Sequence, residues 1–199
     1  MKRPYLLGLT GSIGMGKSTT AQMFEDAGLA VWDADAAVHR LYSKGGAAVG
    51  PIAAVFPDTI EDGAVSRDRL KKIIAADEGA LARIEQIVHP LVAEDRLRFV
   101  DEATSDIVVL DVPLLFETGA EEKYDSVVVV TVPLDIQKDR VLARPDMTDA
   151  HFKAILKRQM PDAEKRKRAD HVIETLTMNA ARADVEALIA EIRGKLRDA

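Results

Sequence analysis

Cysteine is absent from the 199 residues, which removes disulfide frameworks, thiolate metal sites and cysteine nucleophiles together. Long apolar runs are lacking too. None approaches the ~20 residues needed to span a bilayer, so no membrane role is expected. Positive charge is outnumbered, with 27 Lys and Arg against 33 Asp and Glu and a formal net charge of −6. The chain as a whole therefore repels polyanions, which argues against general nucleic-acid binding and leaves open a local basic site for a small phosphate ligand. No internal repeat or low-complexity linker occurs. The composition that remains, 47% hydrophobic and 30% charged, is that of a folded globular chain. Its length suits one substantial core, read here as one domain plus an insertion. Met1-Lys2-Arg3 has the look of a signal-peptide start, but the apolar stretch after it breaks at Thr10-Gly11 into a glycine loop. It is read as the first strand of a cytoplasmic protein.

Three short apolar runs, Tyr5 to Thr10, Ile107 to Val112 and Val127 to Val132, fit parallel strands covered on both faces, which lose polar alternation. Leu29 to Trp32 and Val172-Ile173 are weaker candidates between helix-like stretches. About five strands interleaved with helices predict an open α/β sheet. The ~75 residues between the second strand and Ile107 contain no comparable run. From Arg67 to Ala103 their apolar positions recur mostly three, four or seven apart, as in amphipathic helices. This stretch is the insertion, with breaks at Gly45-Gly46 and Pro57-Asp58. A strongly charged region follows from Asp135 to Arg168, then a last helix from about Asn179 to Arg197.

Gly11-Ser12-Ile13-Gly14-Met15-Gly16-Lys17-Ser18 satisfies G-x-x-x-x-G-K-[ST] and stands after a buried strand and before a helix starting near Lys17. Its glycines let the backbone turn close to phosphate oxygens, and the N–H groups and helix N-terminus supply positive charge. Lys17 is expected on the β- and γ-phosphates and the Ser18 hydroxyl on Mg²⁺. Thr19 completes the ATP-binding set. Met15 occupies a place where a small residue is common and is expected to be tolerated, since the backbone does the binding. A P-loop alone does not specify a kinase. Neither an Asn-Lys-x-Asp after a strand nor a Ser-Gly-Gly-Gln signature is present, which favours a small phosphotransferase.

Ligands in open α/β sheets sit beyond the carboxyl ends of the strands, where Asp33, Asp35 and Asp111 fall. Asp33 is placed to take a proton from an attacking hydroxyl, or else to cap the helix that follows. Asp111 ends a strand as a Mg²⁺-holding carboxylate would, directly or through water, or is an ordinary strand-end residue. Arg140 and Arg144, four apart, share a helix face and can clamp phosphate oxygens. The other basic residues of this region read as solvated surface. Lys165 to Arg168 is too short a cluster, without interleaved aromatics, to read as a nucleic-acid patch.

Together these pieces resemble the dephospho-CoA kinase family. The resemblance rests on Gly8 to Ser18, Asp33-Ala34-Asp35, His89-Pro90, Asp111-Val112-Pro113-Leu114-Leu115-Phe116-Glu117, Gln159, and Glu164-Lys165 with Ala169-Asp170-His171-Val172-Ile173, in the family's order. It implies an adenylate-kinase-like P-loop NTPase fold, with a five-stranded parallel sheet, a helical insertion and a lid. One domain is implied, its core in 1–35, 106–134 and 169–199, an acceptor-binding insertion in about 36–105 and a lid in about 135–168. The implied reaction transfers phosphate from ATP, with Mg²⁺, to the ribose 3′-hydroxyl of dephospho-CoA, and a monomer is expected. Nucleoside monophosphate kinases and nucleotide-binding switches are the competing readings. Asp33 matches the family's catalytic aspartate, with Lys17 and Arg140 beside it in the catalytic set, and Arg144 in the ATP-binding one. Asp35, Arg67, His89, Pro113, Leu114, Phe116 and Glu117 match the acceptor side. The chain departs from the family after Ile173. Glu174-Thr175-Leu176-Thr177-Met178 stands where an Asn-x-Gly-type turn usually touches the adenine.

Overall fold

A computed structural model describes residues 3–198. In chain order its elements are β1 (Tyr5–Thr10), α1 (Lys17–Asp26), β2 (Ala30–Asp33), α2 (Ala34–Tyr42), α3 (Val49–Val55), β3 (Ile60–Glu61), β4 (Ala64–Val65) and α4 (Arg67–Ala76). There follow α5 (Ala80–Glu102), β5 (Ile107–Asp111), β6 (Ser126–Thr131), α6 (Leu134–Leu142), α7 (Asp149–Leu156), α8 (Asp162–Arg168), β7 (His171–Glu174) and α9 (Met178–Asp198). The five strands anticipated from the apolar runs form the five-stranded parallel sheet, in the order β2-β5-β1-β6-β7. The chain resolves into two compact units. One runs up to Val31 and resumes at Ala103, and the other is Trp32–Glu102.

In the first unit β5 and β6 are buried throughout, which is why their sequences show no polar alternation. Alternate strand residues Leu7, Leu9, Val109, Val128, Val130 and Ile173 pack with Met23 and Phe24 of α1 and with Val185, Leu188, Ile189 and Ile192 of α9. The α9 positions recur three or four apart and form one stripe. Each such buried side chain contributes roughly 1.5–3 kcal/mol. The register pairs Leu9 with Asp111, and the Val112 N–H donates to the Leu9 carbonyl at 2.9 Å. The end of β5 is thereby fixed against the end of β1, beside the glycine loop.

The second unit has its own core, in which Leu41, Ile52, Phe56, Val65, Leu70, Ile84 and Val88 come together. It is not wholly helical. β3 and β4 form an antiparallel hairpin around Asp62 and Gly63, both at positive φ (52° and 80°), the geometry of an Asp-Gly turn. Its arms are two residues each, too short for an apolar alternation to show. Pro90 lies inside α5, which runs on past it to Glu102. The one tryptophan is fixed by a buried carboxylate on that helix. Asp95 accepts from Trp32 Nε1 at 2.8 Å, from Arg40 at 2.6 Å and from Arg98 at 3.2 Å.

Burial pushes the Asp95 carboxyl upward, but hydrogen bonds from Arg40 and Trp32 and the charges of Arg40 and Arg98 outweigh it and hold it below its ordinary value. Asp95→Ala is expected to cost about 2 kcal/mol, the worth of charge-assisted hydrogen bonds, and to lower the thermal midpoint by roughly 4–8 °C. Because the folded pKa is depressed, the contribution is complete above the unfolded value of about 3.9 and fades as pH falls through the folded one. Melting curves taken from pH 7 into the acid range should therefore draw together for wild type and variant as pH falls below about 3.9.

Candidate active site

β1 delivers the chain to the glycine loop. At Gly11 a Cβ would lie 2.4 Å from Val130 Cγ2, so only glycine lets the backbone pass this close to β6. Gly16 sits at φ 90° and caps α1, a left-handed conformation that other residues rarely adopt. The first turn of α1 carries no acidic residue, and no side chain caps its N–H groups. The positive end of the helix is thus left for an anion. Lys17, the first residue of that helix, pairs its ammonium with Asp111, a carboxylate only 1% exposed. Ser18 and Thr19 are exposed on the same turn. A hydroxyl such as that of Ser18 and a carboxylate such as that of Asp111 are the kinds of oxygen donor that could hold Mg²⁺ when phosphates supply its remaining ligands.

Other groups of the loop are held by side chains remote in sequence. The Ile13 N–H donates to Gln159 Oε1 at 3.2 Å, and Gln137 Nε2 donates to the Ile13 carbonyl at 2.7 Å. Thr175 Oγ1 donates to the Met15 carbonyl at 2.7 Å. Ser12 is buried, and its carbonyl accepts the Met15 N–H at 3.2 Å. The Met15 side chain is no bystander to the backbone. It is 2% exposed, belongs to the sheet core, and its Sδ accepts the Val132 N–H at 3.2 Å.

A cavity of about 330 Å³ opens beside the loop, lined by Gly14, Gly16, Thr19, Arg140, Arg144, Thr175, Thr177 and Met178 among others. The two arginines do not share a helix face. α6 ends at Leu142 with Ala143 as its cap, which leaves Arg144 in the turn beyond. They meet at the cavity nonetheless. Arg140 donates through one terminal nitrogen to Thr175 Oγ1 at 3.0 Å and through the other to the Thr175 carbonyl at 2.6 Å. The segment that departs from the family pattern is therefore part of the cavity wall. The sequence marks Thr175 only as part of the departing segment and Gln137 not at all, because a threonine just past a strand and a glutamine on a charged helix carry no signature of their own. Gln159 entered only through the family resemblance.

Among the residues after β5, the Pro113 carbonyl accepts from Thr10 Oγ1 at 3.2 Å, and Leu114 is 43% exposed. Phe116 is buried, with the Arg168 guanidinium 5.1 Å from its ring centre. Glu117 Oε1 accepts the Met160 N–H at 2.7 Å and lies 2.9 Å from Lys165 Nζ. Lys165 is 0% exposed, unlike Arg166 to Arg168 beside it. In the second unit Asp33 caps α2, its Oδ1 accepting the Ala36 N–H at 2.8 Å. Asp35 is exposed in the first turn of that helix, and His89 is exposed on α5. Arg67 opens α4 with its guanidinium 6.0 Å from the Tyr42 ring centre. Burial raises the Tyr42 hydroxyl pKa against the opposing pull of Arg67.

The model of the dephospho-CoA kinase family matches residues 5–180. The dephospho-CoA kinase of Ruegeria pomeroyi is 62% identical over 189 residues, covering 95% of this chain and 96% of its own. Among solved structures, TT1252 from Thermus thermophilus superposes with a TM-score of 0.84 at 32% identity, over 96% of this chain and 98% of the other. The dephospho-CoA kinase of Campylobacter jejuni shares the fold, with a TM-score of 0.66 at 22% identity and coverage of 95% and 97%.

Removing one member of a buried ion pair strands the other, at about 3–5 kcal/mol, whereas replacing both is often close to neutral. Glu117→Gln is therefore expected to lower the thermal midpoint sharply. Glu117→Gln combined with Lys165→Met should recover most of the loss, as differential scanning calorimetry of both would show. Additive losses would mean that the two groups do not interact.

Proposed function

The chain belongs to the dephospho-CoA kinase family, and on that premise we propose that it transfers the γ-phosphoryl group of ATP to the ribose 3′-hydroxyl of dephospho-CoA, giving CoA and ADP. The family match sets aside the nucleoside monophosphate kinase and switch readings. The observation that carries the mechanism is the uncapped start of α1, with Lys17 on it and Arg140 and Arg144 lining the cavity beside it.

In this reading the backbone from Gly11 to Thr19 cradles the β- and γ-phosphates, and Lys17 reaches them from the first turn of α1. Ser18 and Asp111 would hold Mg²⁺, which when bound neutralises charge on the phosphate oxygens. Arg140 and Arg144, within the lid segment 135–168, stabilise the charge that spreads over the transferring group. Asp33 accepts the proton of the attacking hydroxyl. Its bond to the Ala36 N–H supports that role, since a carboxylate tied through one oxygen is oriented and keeps the second for the proton. Capping and catalysis are thus compatible in one residue. Acceptor binding is assigned to Asp35, Arg67 and His89 in the second unit, and to Pro113, Leu114, Phe116 and Glu117 after β5 in the first.

A coupled assay should show ADP release that depends on dephospho-CoA, with little turnover on nucleoside monophosphates; the reverse preference would overturn the assignment. Asparagine caps helices as well as aspartate does, so Asp33→Asn leaves α2 intact while removing the base. Turnover is expected to fall by roughly 10²–10⁴-fold with ATP affinity within about twofold of wild type. An unchanged rate would reduce Asp33 to a helix cap.

A further inference from the structure

We propose that Thr175 is a positioning residue for the nucleotide phosphates, fixing the Arg140 guanidinium against the P-loop while leaving its charge unneutralised. The inference rests on the reading of Arg140 as a phosphate ligand given above.

A threonine hydroxyl has one hydrogen to donate and lone pairs to accept with, and at Thr175 both are used. The hydrogen goes to the Met15 carbonyl at 2.7 Å, inside the glycine loop, and the oxygen accepts from Arg140 at 3.0 Å. The second terminal nitrogen of Arg140 donates to the Thr175 carbonyl at 2.6 Å. The residue's own N–H donates to the Thr131 carbonyl at 3.0 Å, so the anchor is tied to the end of β6. Thr175 is 8% exposed, and these bonds are little diluted by water. One hydroxyl thus spans the loop and the arginine.

The chemistry of the anchor matters as much as its place. A carboxylate partner would cancel the charge of an arginine. Among the described residues Arg140 is bonded to two neutral oxygens and to no carboxylate. Two terminal N–H groups are spent, and three of the five donors stay available, all on a cation at the wall of the cavity that also takes in Gly14, Gly16 and Thr19. Rigidity is gained at no loss of positive potential for a triphosphate.

Thr175→Val keeps the shape and removes the hydroxyl; Thr175→Ser keeps the hydroxyl. By titration calorimetry, Thr175→Val should raise the Kd for ATP about fivefold, the worth of one net hydrogen bond, and Thr175→Ser should stay within about twofold of wild type. The KM for dephospho-CoA should move less than about twofold, a split that general loosening of the fold would not produce. In an Arg140→Ala background the same Thr175→Val change should alter ATP affinity by less than about twofold. Unaltered ATP affinity in Thr175→Val, or an equal loss without Arg140, would overturn the proposal. ATP titration needs no acceptor, so a chain inactive on dephospho-CoA would refute the assigned reaction and leave this measurement to decide Thr175 separately.

Discussion

The glycine loop can offer N–H groups to phosphate only because the rest of its backbone is already spoken for. A flexible loop of this composition would lose much of its binding energy to ordering itself. Here Gln137 and Gln159 fix the two sides of Ile13, Thr175 fixes the Met15 carbonyl, and the Met15 thioether seats the loop on the sheet core. The loop's shape is held by contacts within the protein. Strand β1 gives the loop its starting point, and the neighbouring ends of β5, β6 and β7 give it neighbours. The five parallel strands matter to function chiefly because they bring these remote side chains to one edge.

Charge is handled in three different ways around that edge. Lys17 is paired with buried Asp111, so its ammonium is held ready beside the loop by a partner suited to a divalent cation. Glu117 is paired with the fully buried Lys165, which binds the segment after β5 to α8. Arg140 is held by neutral oxygens and keeps its field.

Much of the fold was legible in the sequence. Buried parallel strands and long amphipathic helices leave strong periodic signals, and all five strands of the sheet lie within a residue or so of the apolar runs. The β3/β4 hairpin was missed because two-residue arms leave no alternation, although Asp62-Gly63 is a turn signal in its own right. At the site, the glycine loop, Asp33, Asp111 and the arginines were visible as residue types in characteristic positions. Their supports were not. Met15 had been read as a tolerated residue serving through its backbone, and Lys165 as one charge in a basic run. Burial decides both, and burial of a single residue on a short helix such as α8 does not follow from spacing.

Gly16 and Thr175, far apart in the chain, amount to a single structural choice. A Cβ at position 16 would stand 2.8 Å from Thr175 Oγ1, the oxygen that bonds Met15 and Arg140, so a side chain there would press on that hydroxyl as well as strain the backbone at φ 90°. In engineering terms this glycine is locked twice over, by its own backbone angle and by the hydroxyl facing it, so shrinking residue 175 does not by itself open position 16 to other side chains.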